Sequence, residues 1–548
     1  MGGPAIPGAV RVSGVRAHDL PVSGSDDTPG SGTVPGEPFD PRRSRAKHAV
    51  PITFSTIPAA VWVGLIVMVT TAVLVMRAGR YPWFGDELYF LAAGSHPAVG
   101  YVDQGPVVPL LARLADGMAP DSPTLLRLPA ILAGVAAIIV SAALAREFGG
   151  GRGARILAAL GYASCPFLIT QTASLSTFAF DATAVAILSW LLVRWVRVRR
   201  DRLLLAAGVV AALDLQVKLL LPVVVVAFAL GMACCGPRAI VRRPALWCAA
   251  ATATITVLPA LIWQYRHGWP QLAMGPVIRE EQQAATGGAA GLPVQLATMS
   301  GVLGVVLILC GAYGFVRNRL LHQRFLAVAS VGMVLFVLLS GGRPYYLAGL
   351  LPVLFAAGAC VLVEELPVRW WSPIGAVAAV TSIMIAVGVV VLLPSDALPS
   401  AVHSRAELST RMRFSGTTGW DELTAGVAGA ARTGRRDTAV VTRTYWQAAA
   451  LAHSGDPRIP PVYSANRGFA AFGRPPADTT SLLFVDTDAA EMRLRRTFSG
   501  VVPIVRLDDP RGFPGIDAHV TIWRCTGPRA SWERIWPELT TDILDPGI

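Results

Sequence analysis

Two adjacent carboxylates, Asp86 and Glu87, follow an aromatic cluster at residues 81–84, where the first long apolar run has just ended. A third acid, Asp103, stands further along the same hydrophilic stretch. A carboxylate at a membrane interface can accept the proton of an attacking hydroxyl, and one such base suffices when the leaving group is a phosphate. The alternative is that Asp86 caps a short interfacial helix as its N-cap residue. The presence of Asp103 in the same stretch favours the catalytic interpretation.

Three ionisable residues, Asp181, Asp214 and Lys218, lie within or beside apolar runs. A charge inside a membrane span is costly, so such a residue is a functional candidate. Asp214 and Lys218 are four apart and would pair on one helix face. That pair could simply neutralise itself and help the helices to pack. Lys218 lies near the expected outer end of its helix, where it could also meet the phosphate of an anionic lipid.

Aromatic and basic residues also gather in two later connections. Trp263 and His267 lie in the first, and Arg343 directly precedes Pro344, Tyr345 and Tyr346 in the second. Aromatic rings beside Arg and His suit a sugar or a lipid phosphate, and they equally suit anchoring at a membrane interface. The guanidinium fork of Arg343 matches the oxygens of a phosphate.

The elements that must position these residues are apolar. Of 548 residues, 53% are hydrophobic and 15% are charged, whereas a soluble domain is about a quarter charged. A spanning helix needs about 20 mainly apolar residues. About eleven runs qualify, and the segment 203–233 is compatible with one broken helix or two short ones. The predicted spans are 57–76, 124–145, 154–172, 180–196, 203–217, 219–233, 246–263, 296–315, 325–341, 347–363 and 373–394.

Basic residues accumulate in alternate short connections, which predicts that those connections and the N-terminus face the cytoplasm. Residues 1–50 are rich in Gly, Pro, Ser and Asp and are predicted to be a disordered cytoplasmic tail. A transmembrane region is predicted at 51–394. An odd number of spans then places residues 395–548 outside the cytoplasmic membrane. Short strands at 438–441 and 481–485, with helices at 420–432 and 488–496, predict a small α/β domain there.

Several classes of function have no support in the sequence. The net charge is +12, but the basic residues stand between apolar runs and indicate membrane topology rather than nucleic-acid binding. Seven scattered cysteines form no CxxC or Cys/His metal pattern. The sequence contains no Walker loop, no dinucleotide-binding glycine motif and no HExxH. Nucleotide-driven transport and zinc proteolysis are therefore not indicated.

The stretch after the first span resembles the first outer loop of family 39 glycosyltransferases, which are GT-C enzymes related to protein O-mannosyltransferases and the lipid A aminoarabinose transferase. The resemblance covers about residues 57–525 and rests on an ordered set of segments. They are GDELYFLAAGSHPAVGYVDQGPVVPLLARL (85–114), Asp181, LDLQVK (213–218), LIWQYRHGWP (261–270), GGRPYYLAGLLPVLFAAGA (341–359), GW (419–420) and VYSANRGFAAFGRPP (462–476).

The resemblance implies a polytopic α-helical membrane protein of the GT-C type with a small extracytoplasmic C-terminal α/β domain. It implies that a sugar is taken from a polyprenyl-phosphate donor on the outer face of the cytoplasmic membrane, with inversion at the anomeric carbon. Asp86 would be the base, and Glu87 would orient or support it. Asp103 would bind a divalent metal ion or position the phosphate. The acceptor could be a protein, a lipid or a wall glycan.

Gln104 departs from the family pattern, because the aminoarabinose branch often has lysine at this position, and GP at 105–106 replaces the more usual PP. Loss of that cation would leave the donor phosphate to Lys218 and Arg343. The remaining predicted donor-site residues are Tyr345 and Tyr346. Further residues of the substrate loops are Tyr101, Asp181, Trp263 and His267.

Two other hypotheses compete with a transferase. A lipid or sugar transporter or flippase is suggested by the buried Asp214 and Lys218, although such proteins usually show repeated halves, which this sequence lacks. A non-catalytic envelope scaffold would use the C-terminal domain to bind a cell-wall polymer.

Overall fold

Helices occupy nearly all of the long apolar runs in this structure, which is a computed structural model. It describes residues 57–80, 82–317, 320–364, 368–388, 401–433, 439–545 and 547. The tail predicted to be disordered, residues 1–50, lies outside the described residues. From Ile57 onward the described chain forms one compact unit. The domain boundary at residue 394 falls in an undescribed segment and stays a prediction.

The apolar part of the chain contains long helices joined by short connections and several shorter helices. In chain order they are α1 (Ala59–Ala78), α2 (Gly85–Ser95), α3 (Val107–Met118), α4 (Pro123–Glu147), α5 (Arg152–Ala163), α6 (Pro166–Gln171), α7 (Thr177–Val198), α8 (Arg202–Leu215), α9 (Leu221–Cys235), α10 (Pro244–Arg266), α11 (Pro270–Thr286), α12 (Leu292–Val316), α13 (Arg324–Ser340), α14 (Leu351–Glu364) and α15 (Val368–Val387).

Six helical stretches among the described residues are long and apolar enough to cross a membrane by length and composition. They are Ala59–Ala78, Pro123–Glu147, Thr177–Val198, Pro244–Arg266, Gly288–Val316 and Pro344–Val363. The protein is therefore a multi-pass membrane protein, while the count of eleven spans stays a prediction.

Some predicted spans are interrupted. The segment 203–233 forms two short helices, α8 and α9, and Pro222 in the first turn of α9 suits a helix start. The span predicted at 154–172 breaks between α5 and α6, where Pro166 begins the second helix. Gly301 has a φ of 72° and kinks α12.

Close helix packing depends on small residues. A Cβ atom added to Gly358 of α14 would lie 1.9 Å from the carbonyl oxygen of Leu307 in α12. No larger residue fits at that distance, so glycine allows the two helix backbones to approach. Small residues at such contacts are the usual device in membrane helix bundles, where water does not drive helices together.

The C-terminal domain is built on a five-stranded sheet whose strands are β1 (Val440–Thr442), β2 (Val462–Ser464), β3 (Ser481–Asp486), β4 (Phe498–Leu507) and β5 (Val520–Pro528). Their order in the sheet is β2-β1-β3-β5-β4. Strand β1 pairs in parallel with β2 and β3, whereas β5 is antiparallel to β3 and β4. The helices of the domain are α16 (Arg405–Ser415), α17 (Trp420–Thr433), α18 (Tyr445–His453), α19 (Glu491–Thr497) and α20 (Trp532–Leu539). The predicted small α/β domain is confirmed, although the sequence prediction named neither β2, β4 and β5 nor α16, α18 and α20.

The C-terminal domain packs directly on the loop that follows α1. The carbonyl oxygen of Trp83 accepts hydrogen bonds from Thr417 Oγ1 and, at 2.9 Å, from Trp420 Nε1. The Trp83 ring meets the edge of His453, with 5.3 Å between ring centroids. These contacts place the first loop and the C-terminal domain on the same side of the helical bundle.

Candidate active site

Asp86 lies in the first turn of α2 and faces the C-terminal domain. Its Oδ1 accepts a hydrogen bond from the Tyr445 hydroxyl at 2.6 Å and another from Trp446 Nε1 at 2.8 Å. No described residue donates a hydrogen bond to Oδ2. The carboxylate is half-buried, so one oxygen fixes its orientation and the other is available to a bound molecule.

The structure does not support Asp86 as a helix cap, because Phe84 occupies the N-cap position of α2. Asp86 instead lies close to the N-terminal ends of two helices, α2 and α18. Both helix dipoles favour a negative charge there.

Tyr445 and Trp446 are aligned by the start of α18, which follows β1 directly. Thr444 is the N-cap residue of α18 and accepts a hydrogen bond from the backbone N–H of Gln447. Burial, and next the charge of Asp86, raise the pKa of the Tyr445 hydroxyl well above its usual value. Tyr445 therefore stays protonated and donates its hydrogen bond to Asp86 over the physiological pH range.

Gly85 allows α2 to approach this aromatic pair. A Cβ atom on Gly85 would lie 2.3 Å from Cδ2 of the Trp446 ring. We expect Gly85→Ala to push the ring away from Asp86 and to destabilise the protein by about 1–3 kcal/mol, as overpacking of a filled site does. Gly117→Ala is the matched control, because a Cβ atom there meets nothing within 4 Å. Thermal unfolding of the two purified variants tests this, and equal stability of both would contradict the contact.

Glu87 is fully buried and points away from Asp86 into the protein. It accepts hydrogen bonds from Arg127 Nε at 2.8 Å, from Arg127 Nη2 at 2.7 Å and from the backbone N–H of Leu175 at 2.7 Å. Arg127 also donates to the carbonyl oxygens of Ala78 and Pro82, at 2.6 and 2.8 Å. Since both Glu87 oxygens have internal partners, Glu87 fixes the start of α2 rather than contacting a substrate.

Asp103 lies on the far side of α2 from Glu87. Its Oδ1 accepts a hydrogen bond from the Tyr89 hydroxyl at 3.3 Å. Burial raises the pKa of Asp103, the positive charges of Arg467 and Lys218 oppose that rise, and the negative charge of Asp86 adds to it. Asp86 and Asp103 thus belong to one electrostatic cluster.

The residues after Asp103 attach this loop to the turn between α8 and α9. The backbone N–H of Gly105 donates to the carbonyl oxygen of Val217 at 3.0 Å, and a Cβ atom on Gly105 would lie 2.0 Å from the carbonyl oxygen of Gln216. A proline at position 105 could not make this contact. The neighbouring Gln104 is buried, and its Nε2 has no hydrogen-bond partner among the described residues. The sequence departures at 104 and 105 therefore leave an unused donor beside Asp103.

The predicted metal role of Asp103 has no matching set of ligands. Among the described residues, no group of three or more His, Cys, Asp or Glu side chains is arranged to hold a metal ion. Asp103 also already accepts a hydrogen bond from Tyr89. The metal role of Asp103 therefore stays a prediction, and no step of the mechanism below depends on a metal ion.

Lys218 lies in the turn between α8 and α9, against aromatic rings. Its Nζ is 3.7 Å from the centroid of Phe178 and 5.5 Å from that of Tyr346. The pKa of Lys218 is lowered to about 8, chiefly by burial. The charge of Arg343 also lowers it, whereas the charges of Asp181, Asp103 and Asp86 raise it. The ammonium forms no hydrogen bond or ion pair with any described residue, which leaves it available to an anion.

The predicted pairing of Asp214 with Lys218 is wrong. Helix α8 ends at Leu215, although the backbone N–H of Lys218 still donates to the carbonyl oxygen of Asp214 at 2.9 Å. No salt bridge joins the two side chains, and both carboxylate oxygens of Asp214 are buried without a hydrogen-bond partner among the described residues. Oδ1 of Asp181 is likewise buried without a hydrogen-bond partner among the described residues. The buried residues that suggested a transporter or flippase therefore form no direct ion pair, and that alternative stays a prediction.

Arg343 and the two tyrosines after it complete the wall around Lys218. Arg343 Nη2 donates to Glu281 Oε2 at 2.9 Å, and its guanidinium carbon lies 5.7 Å from the Tyr345 centroid. The Tyr345 ring is 3.9 Å from that of Phe178, centroid to centroid. The two predicted cations, Arg343 and Lys218, are thus connected through packed aromatic rings.

The remaining predicted residues of the substrate loops form no hydrogen bond with Asp86. Trp263 and His267 stack on each other near the exposed end of α10, with centroids 4.0 Å apart. The Tyr101 hydroxyl is hydrogen-bonded within the α2–α3 connection, and its carbonyl oxygen accepts from Gln264 Nε2 at 2.8 Å. Their contacts indicate that they support the loop, while their assignment to substrate binding stays a prediction.

Sequence reasoning missed the contribution of the C-terminal domain to this site, namely Tyr445, Trp446 and Arg467. The capping-box pattern of Thr444 and Gln447 could have marked the start of a helix at residue 445. Nothing in that pattern connects the helix to Asp86. Arg467 lies in a segment that carried the family resemblance, but no role was assigned to it.

Comparison with known proteins supports the fold. The dolichyl-phosphate-mannose-protein mannosyltransferase family matches residues 103–263, and no curated protein matches the chain. The structure is similar to ArnT from Cupriavidus metallidurans in the apo state, with a TM-score of 0.59 and 14% identity over 85% of this chain and 98% of that chain. For ArnT bound to undecaprenyl phosphate the TM-score is 0.56, with the same identity and coverage.

The arabinofuranosyltransferase AftD from Mycobacteria is similar as well, with a TM-score of 0.50 and 15% identity over 86% of this chain and 40% of that chain. At these identities the likeness shows the fold, which is that of the GT-C glycosyltransferases. The resemblance to GT-C enzymes seen in the sequence is therefore confirmed for the fold.

Proposed function

From the premise that this chain is a multi-pass membrane protein of the GT-C glycosyltransferase fold, we propose that it transfers a sugar from a polyprenyl-phosphate donor to a hydroxyl acceptor. The observation that carries the proposal is the Asp86 carboxylate. One oxygen is fixed by Tyr445 and Trp446 and the other is available, in a cluster that also contains Lys218. ArnT, of the same fold, is known bound to undecaprenyl phosphate, which supports a lipid-linked donor.

The chemistry assigned to Asp86 is general-base catalysis. Oδ2 of Asp86 accepts the proton of the acceptor hydroxyl as the hydroxyl oxygen bonds to the anomeric carbon. The bond between that carbon and the phosphate oxygen breaks on the opposite face, so the configuration inverts. The hydrogen bonds from Tyr445 and Trp446 to Oδ1 keep the carboxylate oriented during this step.

The departing polyprenyl phosphate gains negative charge, and the nearby cations stabilise it. Lys218 and Arg343 supply positive charge already in place, which costs no reorganisation when the bond breaks. The unpartnered Nε2 of Gln104 can donate a further hydrogen bond to the donor. The spans below the site provide a path by which a lipid-linked donor reaches it from the bilayer.

We further propose that the site faces the outer side of the cytoplasmic membrane. Helix α7 begins beside the site at Thr177 and ends at Val198, next to a group of arginines. Arginine-rich short connections favour the cytoplasmic side. The opposite helix ends, with the first loop and the C-terminal domain, would then be extracytoplasmic.

The test is an assay of the purified full-length protein with a panel of polyprenyl-phosphate sugars and with protein, lipid and wall-glycan acceptors. The expected result is protein-dependent release of polyprenyl phosphate, with the sugar appearing on one acceptor class. Intact donors across the whole panel, from protein that is folded and membrane-inserted, would overturn the proposal.

The pKa of Lys218 gives the reaction a specific pH dependence. Its folded-state pKa of about 8 lies below that of a free lysine, so the ammonium is present below pH 8 and is lost as the pH rises through that value. A phosphodiester donor does not titrate in this range. We expect kcat/KM for the donor to fall above about pH 8, and Lys218→Arg to retain its charge and lose this fall. The same alkaline fall in Lys218→Arg would show that another group causes it.

A further inference from the structure

Two arginines from different parts of the chain share one carboxylate beside the candidate site. Glu281 of α11 accepts from Arg343 Nη2 through Oε2 and from Arg467 Nη2 through Oε1. Oε1 also accepts from the backbone N–H of Leu544 at 3.2 Å. The group of Arg343, Glu281 and Arg467 carries two positive charges and one negative charge, and so keeps a net charge of +1.

Arg467 is the member contributed by the C-terminal domain, and its placement is unusual. It is only 8% exposed, and its φ of 46° lies in the left-handed region, which a non-glycine residue seldom adopts. Its Nε donates to the carbonyl oxygen of Asp542 at 2.7 Å, and its guanidinium carbon lies 5.5 Å from the centroid of Tyr445. Tyr445 is the residue that donates to Asp86, so Arg467 lies one side chain away from the proposed base.

The hydrogen bonds of Arg467 leave one of its donors unused. Arg467 commits Nε to Asp542 and Nη2 to Glu281, so its Nη1 has no hydrogen-bond partner among the described residues. A buried guanidinium with a free donor is well suited to a phosphate oxygen. Arg467 also contributes to the electrostatic environment of Asp103, together with Lys218.

On the basis of the proposed function, we propose that Arg467 binds the phosphate of the lipid-linked donor and that Glu281 positions it beside Arg343. The C-terminal domain then supplies both the side chains that orient the base and a cation for the phosphate. Glu281 acts through the two arginines: it holds two like charges close together and prevents them from separating in the absence of donor.

Binding of undecaprenyl phosphate and of undecaprenol to the full-length protein in phosphatidylcholine nanodiscs tests this inference. The two lipids differ only in the phosphate, so their comparison separates a phosphate contact from a general structural role. We expect Arg467→Gln to weaken undecaprenyl phosphate binding by roughly ten- to a hundredfold, the range for a hydrogen bond to a charged group, and to leave undecaprenol binding unchanged. Arg467→Lys should recover part of the loss, because it restores the charge without the planar fork.

Arg474→Gln is the matched control, because Arg474 belongs to the same segment and is exposed, with a salt bridge to Glu533. We expect it to bind both lipids as the wild type does. Glu281→Gln should weaken phosphate-lipid binding by a smaller factor than Arg467→Gln, and it offers a second test if Arg467→Gln folds poorly.

The possible failures are distinguishable. Wild-type protein that binds both lipids equally would overturn the proposed function and this inference with it. Wild-type protein that prefers the phosphorylated lipid, with an Arg467→Gln variant that keeps the same preference, would overturn the inference alone. Equal weakening of both lipids in Arg467→Gln would also overturn it, since that result means a structural role.

Discussion

Asp86→Asn loses sugar transfer by about 10²–10⁴-fold, the usual contribution of a positioned general base, while donor binding is kept. The asparagine retains the Oδ1 acceptor for Tyr445 and Trp446, so the local structure is preserved. What it loses is the oxygen that can take a proton. The measurement is the rate of polyprenyl phosphate release at saturating donor, alongside donor affinity.

The matched control for this prediction is Asp116→Asn, because Asp116 is an exposed carboxylate on α3, in the same region of the chain. It should transfer sugar at the wild-type rate. Transfer by Asp86→Asn within a few-fold of the control would remove Asp86 as the base and would leave its hydrogen bonds a purely structural role.

Glu87→Gln lowers the free energy of unfolding by about 3–5 kcal/mol, because it removes the negative charge of a fully buried ion pair. The Arg127–Glu87 bridge has no exposed side-chain surface. Arg127 would retain the Ala78 and Pro82 carbonyl oxygens but lose the negative charge of Glu87, so folded protein should be difficult to recover.

Unfolding in detergent by heat or denaturant measures this effect, with Glu280→Gln as the control because Glu280 is exposed. A Glu87→Gln variant as stable as the control would show that the buried pair contributes little. Normal stability combined with abolished transfer would instead return Glu87 to a direct catalytic role.

Most of the helical bundle could be predicted from the sequence, because a bilayer imposes length and apolarity on each span. The helix boundaries depend on local backbone details that hydropathy does not report. Pro166 and Pro222 interrupt apolar runs that look continuous, and α8 ends at Leu215, before Lys218 is reached. A spacing of four residues predicts a pair only where the helix continues.

The first loop was also recognisable, because Asp86 and Asp103 lie close together in sequence and no apolar span explains them. The part of the site that the C-terminal domain contributes could not be recognised in the sequence, because Tyr445 is 359 residues from Asp86 along the chain. The segments of the C-terminal domain that resembled the family, around Trp420 and Arg467, do contact the first loop or lie close to it. The family resemblance identified these segments in the sequence, but only the folded structure shows which residues they contact.

The central claim is that the cluster around Asp86, Lys218 and Arg343 binds a lipid-linked phosphate. A structure of the full-length protein with undecaprenyl phosphate in lipid nanodiscs tests it most directly. We expect a phosphate oxygen about 2.7–2.9 Å from Lys218 Nζ or from an Arg343 nitrogen, which is the distance of a charge-assisted hydrogen bond. We also expect Oδ2 of Asp86 to face the space beside the phosphate. A phosphate bound at the opposite, arginine-rich ends of the helices, with the Asp86 cluster left without lipid, would contradict it.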